Sequence, residues 1–212
     1  MISVRVIILT WEFPPRIVGD LAGYVQNLAY SLASQKYDIY VFTYQENGDG
    51  QLYDLDGIQV CRIANPVRTH INIVTWDITL MTAFEKAVAD VYYSVQQDIQ
   101  LMDVHEWTCV PAAVQLKKAF DLPFLFTIHS LEEHRSHFAN APLNIAINNI
   151  EALGIREADT IIVKSEWMKQ ELDTYHPGFQ DKVKVIAPEK STWMEEIIAL
   201  YNLLSDVKES PA

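Results

Sequence analysis

Positive charge is scarce in this chain: 16 Lys and Arg stand against 28 Asp and Glu, a formal net charge of −12. A protein that grips a phosphate backbone needs a basic patch, so nucleic acid is excluded as an expected partner. Cysteine is scarcer still. Cys61 and Cys109 are the two present, too far apart in sequence for a metal-ligand spacing. They read as buried, reduced thiols of a cytoplasmic protein. No apolar run approaches the roughly 18 residues a membrane span requires, so no membrane span is expected. Met1–Leu9 lacks the cationic start and small-residue cleavage site of a secretory leader. There is no Gly-x-x-x-x-Gly-Lys-Ser/Thr loop and no Gly-x-Ser-x-Gly elbow, which argues against a P-loop and against a hydrolase triad.

What is abundant is apolar residues, half of 212, enough for a substantial core. Their arrangement alternates between two periods. Strand-like runs occur at Val4–Leu9, Ile39–Thr43, Ile58–Ile63, Leu101–Val104, Phe124–Ile128, Thr160–Val163 and Val183–Ile186. Helical spacing separates most of them: Leu21, Val25, Leu28, Ala29 and Leu32; then Ile78, Met81, Ala83, Ala87, Val88, Val91 and Val95; then Val110–Phe120, Ile145–Ile155 and Glu166–Tyr175. Alternation of this kind predicts an α/β fold, a mainly parallel sheet with helices on both faces. Glu46–Gly50 reads as a polar turn. Leu52–Tyr53 and Ile58–Ile63 read as an edge hairpin joined by Asp54–Gly57. Ala187-Pro188 stops the last strand. Beyond it, Ser191 or Thr192 can cap a helix with the apolar stripe Trp193, Ile197, Leu200, Tyr201 and Leu204, and Val207–Ala212 reads as a frayed end.

The most informative segment is Thr10–Gly23, TWEFPPRIVGDLAG, between the first strand and first helix. A strand, a Pro/Gly loop and a helix form a ligand crevice in an open α/β sheet. Pro14-Pro15 stiffens the loop. Gly19 permits close backbone approach, and the helix start offers N–H groups to an anion.

Glu12-Phe13-Pro14-Pro15-Arg16, followed by Gly19 and Leu21, resembles the first loop of the glycogen and starch synthase group of glycosyltransferases. That group has two Rossmann-like domains, the GT-B fold. Asp20 and Ala22 stand where the group usually has glycine; a carboxylate at Asp20 would repel a nucleotide diphosphate. Further segments follow in the same order. His105-Glu106-Trp107 is similar to the group's His-Asp-Trp, with Asp103 in place of an earlier His. Phe126–Arg135, FTIHSLEEHR, resembles its Thr-Ile-His-Ser-Thr-Glu…Arg run. Ile150-Glu151, Ala158–Ser165 and Lys182–Ile186 resemble the end of its first domain. Each match is weak alone, and their shared order carries the resemblance.

The resemblance implies an N-terminal, acceptor-side domain over 1–187, one half of a GT-B fold, without a second nucleotide-binding domain after Ala187. Residues 188–212 are then expected to form the helix that packs back on the first domain. It implies transfer of glucose from a nucleotide sugar to a glycan in a complete, retaining enzyme, with little or no turnover by this chain alone. Retaining transfer needs cations and N–H groups on the departing diphosphate, toward which Arg16 and Gly19 are the contributors from this side. His129 and His105 are the candidate catalytic residues. Glu12, Arg16, Gly19, Asp20, Trp107, Ser130, Glu132 and Arg135 are the candidate substrate-binding residues.

Each has a plainer reading. His129 could merely satisfy loop backbone, and Trp107 could be packing rather than a sugar platform. Glu12 could cap a helix or pair with Arg16. Glu132 and Arg135 could be a solvated ion pair. His129, His134 and His137 with Glu132 and Glu133 fit no zinc spacing, so no metal and no cofactor is expected. The expected partners are a glycan acceptor, a nucleotide sugar and a separate chain carrying the second domain. The competing readings are a non-catalytic glycan- or protein-binding module and one half of a split enzyme.

Overall fold

The computed structural model describes residues 4–209; residues 1–3 and 210–212, the latter part of the expected frayed end, lie outside the described residues. Eight strands form one sheet in the order β3-β4-β2-β1-β5-β6-β7-β8. They are β1 (Arg5–Thr10), β2 (Asp38–Tyr44), β3 (Asp49–Leu55), β4 (Ile58–Ile63), β5 (Leu101–His105), β6 (Phe124–Ile128), β7 (Thr160–Val163) and β8 (Val183–Val185). Every neighbouring pair is parallel except β3 with β4. The helices are α1 (Asp20–Ser34), α2 (Ile73–Ser94), α3 (Val110–Phe120), α4 (Glu132–Arg135), α5 (Pro142–Glu157), α6 (Glu166–Tyr175) and α7 (Trp193–Glu209).

The period of two along each strand divides the core. Ile7, Leu9, Met102, Val104, Phe124 and Phe126 face one way, toward α2, α3, α5 and α6. Val6, Ile8, Leu101, Leu125 and Ile162 face the other way, toward α1 and α7. These strands are buried on both faces and read as continuous apolar runs, as parallel strands do. On the second face, α7 buries Ile197, Tyr201 and Leu204 while Trp193 and Leu200 are only partly covered. Trp193 is therefore not the helix's anchor, and Tyr201, with no exposed surface, is.

Two local expectations require correction. The hairpin turn is shorter than Asp54–Gly57: strand pairing continues to Leu55 opposite Ile58, which leaves Asp56-Gly57 as a two-residue loop. Both carry positive φ, 51° and 90°, as a type I′ turn demands. Asp49 and Gly50, expected in the polar turn, already belong to β3. The second helix begins at Ile73 rather than near Ile78. Asn72 and Thr75 close a reciprocal capping box, the Thr75 N–H donating to Asn72 Oδ1 at 3.0 Å. In this frame Ile78 points to solvent, 52% exposed, and the polar Asp77 is the residue with no exposed surface.

Gly154 on α5 marks a close approach of that helix to α3 and to the sheet. A Cβ there would lie 2.6 Å from Val110 Cγ2 and 2.9 Å from Phe126 Cε1. Gly154→Ala is expected to cost roughly 1–3 kcal/mol by overpacking, read as a lower midpoint in urea unfolding. An unchanged midpoint would mean that α5 can move off the sheet freely.

Candidate active site

The strand order reverses between β1 and β5: β1 leads by α1 to β2 on one side, while β5 to β8 run out on the other. In an open parallel sheet this switch point leaves a crevice at the carboxyl ends of the strands. A crevice of about 340 Å³ lies there, lined from every direction: Trp11 and Glu12 after β1, Asp20 at the start of α1, Glu106 and Trp107 after β5, His129 and Ser130 after β6, Lys164 after β7.

The side chains that meet under this crevice do so because of strand parity. Asp103 and His105 share the face of Leu101, and Thr127 and His129 share the face of Leu125. His105, fully buried, places Nδ1 3.1 Å from Nε2 of the half-buried His129. Tyr24 of α1 closes over both rings edge to face, 5.8 Å from His105 and 5.0 Å from His129. Burial lowers the pKa of His105, and neighbouring Asp103 opposes that effect. Burial pushes His129 further down, aided by His105 and Lys164. Two neutral imidazoles sharing one proton bridge are the stable state of such a pair at neutral pH.

Glu106 holds the loop that carries His129. Its backbone sits at φ 67° and ψ 161°, a region natural to glycine and strained for any other residue. From there its Oε1 accepts the N–H groups of His129 and Ser130 at 2.8 and 2.9 Å. Arg135 grips the rest: Nη1 lies 3.2 Å from Glu106 Oε2 and 2.8 Å from the Ser130 carbonyl, Nε lies 3.0 Å from Glu132 Oε2, and Nη2 bonds Glu151. One guanidinium thus serves three buried carboxylates. Burial pushes Glu106 up and Glu151 up to about 7, with Arg135 opposing both.

The predicted site residues divide on this geometry. His129, Asp20, Trp107, Ser130 and Arg135 line the crevice, and His105 lies directly beneath His129. Glu12 also borders it but is 3% exposed, and its Oε2 accepts the N–H groups of Val18 at 2.6 Å and Gly19 at 3.0 Å. The Gly19 N–H expected to face a departing diphosphate is thus filled by the chain's own carboxylate, while the first turn of α1 carries no side-chain cap. Gly19 is the residue before α1, in extended backbone, with room for a Cβ, so neither strain nor close approach demands glycine there. Arg16 is turned away from the crevice. Its guanidinium lies 4.7 Å from the Trp11 ring centroid and 5.0 Å from that of Tyr44, a cation–π clamp between the ends of β1 and β2. Glu132 is buried and committed to Arg135 and Asn144.

Sequence reasoning passed over Glu106, Tyr24 and Lys164. Lys164 is two residues beyond Ile162, hence on the same sheet face, and its Nζ sits 5.0 Å from the Tyr24 ring centroid. Desolvation lowers its pKa, against the attraction of Glu106 and Asp20. Away from the crevice, Glu133, Glu151 and His176 bring ligand-type atoms within 4.8 Å of one another. Arg135 already occupies Glu151 there. His129 and His134 do not converge: His134 packs on Trp167 and faces Glu171 at 3.0 Å.

An open, mainly parallel sheet with its crevice at the switch point, covered by helices on both faces, defines the class: one Rossmann-like half of a GT-B glycosyltransferase fold. Residues 21–188 match Glycosyltransferase Family 4, and the chain belongs to that family. An uncharacterized glycosyltransferase of Methanocaldococcus jannaschii is 27% identical over 91% of this chain and 48% of its own length. The glycogen synthase of Mycobacterium tuberculosis is 24% identical over 84% of this chain and 46% of its own length. The chain therefore spans about half the length of the curated relatives it matches. Among solved structures, the sucrose-phosphate synthase of Thermosynechococcus elongatus superposes with a TM-score of 0.72 at 17% identity, over 87% of this chain and 48% of that one. The catalytic domain of starch synthase IV from Arabidopsis thaliana, bound to ADP and acarbose, superposes with a TM-score of 0.66 at 14% identity, over 90% of this chain and 52% of that one. Among the described residues no helix is long and apolar enough to cross a membrane.

Proposed function

We propose that residues 1–187 are the acceptor-side half of a glycosyltransferase that, when complete, moves glucose from a nucleotide sugar to a glycan, with 188–212 as its returning helix. The observation that carries this reading is the acid at the head of α1. Glu12 fills the N–H groups of Val18 and Gly19, and Asp20 sets a carboxylate in the crevice at the first turn of α1, where it repels a diphosphate. What the crevice offers instead suits a hydroxyl-rich ligand: the imidazole of His129, the hydroxyl of Ser130, the indole of Trp107 and the ammonium of Lys164. The starch synthase neighbour is bound to ADP and acarbose, which fits a nucleotide and a glycan as the two ligand classes.

A second half, on the same or another chain, fits the rim. Ile17 and Val18 are 67% and 61% exposed on the first loop, and Ile71, before α2, is 91% exposed. Apolar residues around a polar crevice favour a closing partner surface. That rim also suits the alternative reading, a module that binds glycan or protein without turnover.

Calorimetric titration separates these. A malto-oligosaccharide is expected to bind the chain, and His129→Ala to weaken it at least tenfold, about 1.4 kcal/mol. Binding of UDP-glucose or ADP-glucose with no oligosaccharide binding would overturn the acceptor-side assignment.

A further inference from the structure

The buried face beneath the crevice holds a line of polar groups from α7 to His129, hydrogen-bonded at each step except the 3.5 Å approach of Asp103 to His105. Tyr201 of α7, fully buried, donates its phenol to Asp103 Oδ2. Asp103 Oδ1 accepts the hydroxyl of Thr127 at 3.3 Å and faces His105 Nε2 at 3.5 Å. His105 Nδ1 then meets His129 Nε2 at 3.1 Å. His105 Nε2, near Asp103 but not aligned for a hydrogen bond, and His129 Nδ1 are both left buried with no hydrogen-bond partner among the described residues. Position 103 is where the glycogen and starch synthase pattern has a histidine, and the carboxylate here is a feature of this chain.

The chemistry of the line fixes its direction. A carboxylate only accepts, so the ring nitrogen facing Asp103 must carry hydrogen. A neutral imidazole has one N–H, so His105 Nδ1 is then a lone pair. His129 must answer with N–H at Nε2, which leaves its Nδ1 as a lone pair too. Reversing the order would set the lone pair of His105 Nε2 against the Asp103 carboxylate in a dry site. Tyr201 matters because its O–H can only be satisfied here by an acceptor, which holds the Oδ2 corner in place.

We propose that Asp103, oriented by Tyr201, is a positioning residue that fixes His129 as a hydrogen-bond acceptor at Nδ1, set to receive a sugar hydroxyl. The importance of that acceptor for binding rests on the acceptor-side reading above; the relay itself does not.

The test is nitrogen NMR of the full chain carrying ¹⁵N-labelled histidine, at neutral pH, in wild type and in Asp103→Asn. In wild type, hydrogen is expected on Nε2 of both rings and on neither Nδ1. In the variant, the phenol of Tyr201 holds the amide oxygen, so the amide NH₂ faces His105 Nε2 and donates to it. Both rings are then expected to exchange tautomers, and His129 Nδ1 becomes a donor. Hydrogen on His129 Nδ1 in the wild type would overturn the proposal without any variant. So would unchanged tautomers in a folded Asp103→Asn chain. Oligosaccharide affinity of the same variant is expected to fall at least tenfold. Exchanged tautomers with unaltered affinity would leave the relay standing and sink the acceptor-side reading of His129 instead.

Discussion

Arg135→Met is expected to destabilise the chain by about 3–5 kcal/mol, read by urea unfolding at pH 7, because it leaves buried carboxylates without their cation. Glu132, Glu151 and Glu106 are 4%, 1% and 8% exposed and all converge on this guanidinium. No second Lys or Arg is placed on them among the ion pairs of the described residues. Methionine keeps most of the volume, so the loss measures charge rather than a cavity. The same change should loosen the crevice, since Arg135 also holds the Ser130 carbonyl and Glu106, whose other oxygen holds the His129 N–H. Adding Glu151→Gln to Arg135→Met should recover part of the loss. A cost under about 1 kcal/mol for Arg135→Met would show that water reaches the cluster and that the pairing is superficial.

Asp77→Leu is expected to act in the opposite direction. Asp77 lies in the second turn of α2 with no exposed surface, and neither carboxyl oxygen has a hydrogen-bond partner. Burial pushes its carboxyl from the ordinary 3.8 up to about 8. Below the ordinary value both folded and unfolded chains keep the proton, and stability is intact. Between it and about 8 the unfolded chain has lost a proton that the folded chain still holds. Stability therefore falls as pH rises through that window and levels off above it. At pH 7 the loss is on the order of 4 kcal/mol. A leucine of similar shape removes it, so the variant should gain several kcal/mol at pH 7, less at pH 5, and at pH 3 only the roughly 1–3 kcal/mol that an unpaired neutral carboxyl costs. An equal gain at every pH would mean that improved packing, not a proton, is the cause. A loss at pH 7 would mean that the carboxyl has a partner that a leucine cannot replace.

The layout of the sheet was legible because parallel strands buried on both faces announce themselves as apolar runs. Parity along those runs also suffices to group Asp103, His105, Thr127, His129 and Lys164 on one face. Glu106 was hidden for a different reason. Its role depends on a positive φ that turns its carboxylate back onto the next strand's loop, and no spacing rule foretells that. Arg16 was misdirected by its neighbours. It follows a proline pair in a loop that resembles a phosphate-facing one, yet Trp11 and Tyr44, 28 residues further on, offer it two aromatic faces. Glu12 competes for the Gly19 N–H that was assigned to a ligand, a contest that only the folded loop decides. Asp77 was missed because the helix was started at Ile78, one residue too late to ask why a carboxylate is buried.

The docking of α7 has a consequence for the order in which the chain can fold. Tyr201 meets Asp103 across 98 residues of sequence, and the same helix covers Val6, Ile8 and Leu101. Contacts this distant are late on any route, since the loop they close must be collapsed first. Until α7 leaves the ribosome, the face made by β1, β5 and β6 has α1 alone against it, and the carboxylate of Asp103 lacks its phenol donor. A nascent chain stopped short of Tyr201 would carry a sticky sheet face with a hydrated acid in its middle. Synthesis of the last turns of α7 thus completes this domain's hydrophobic core and the polar line to His129 in one event, so imidazoles that are correctly set mark a domain whose sheet is covered on both faces.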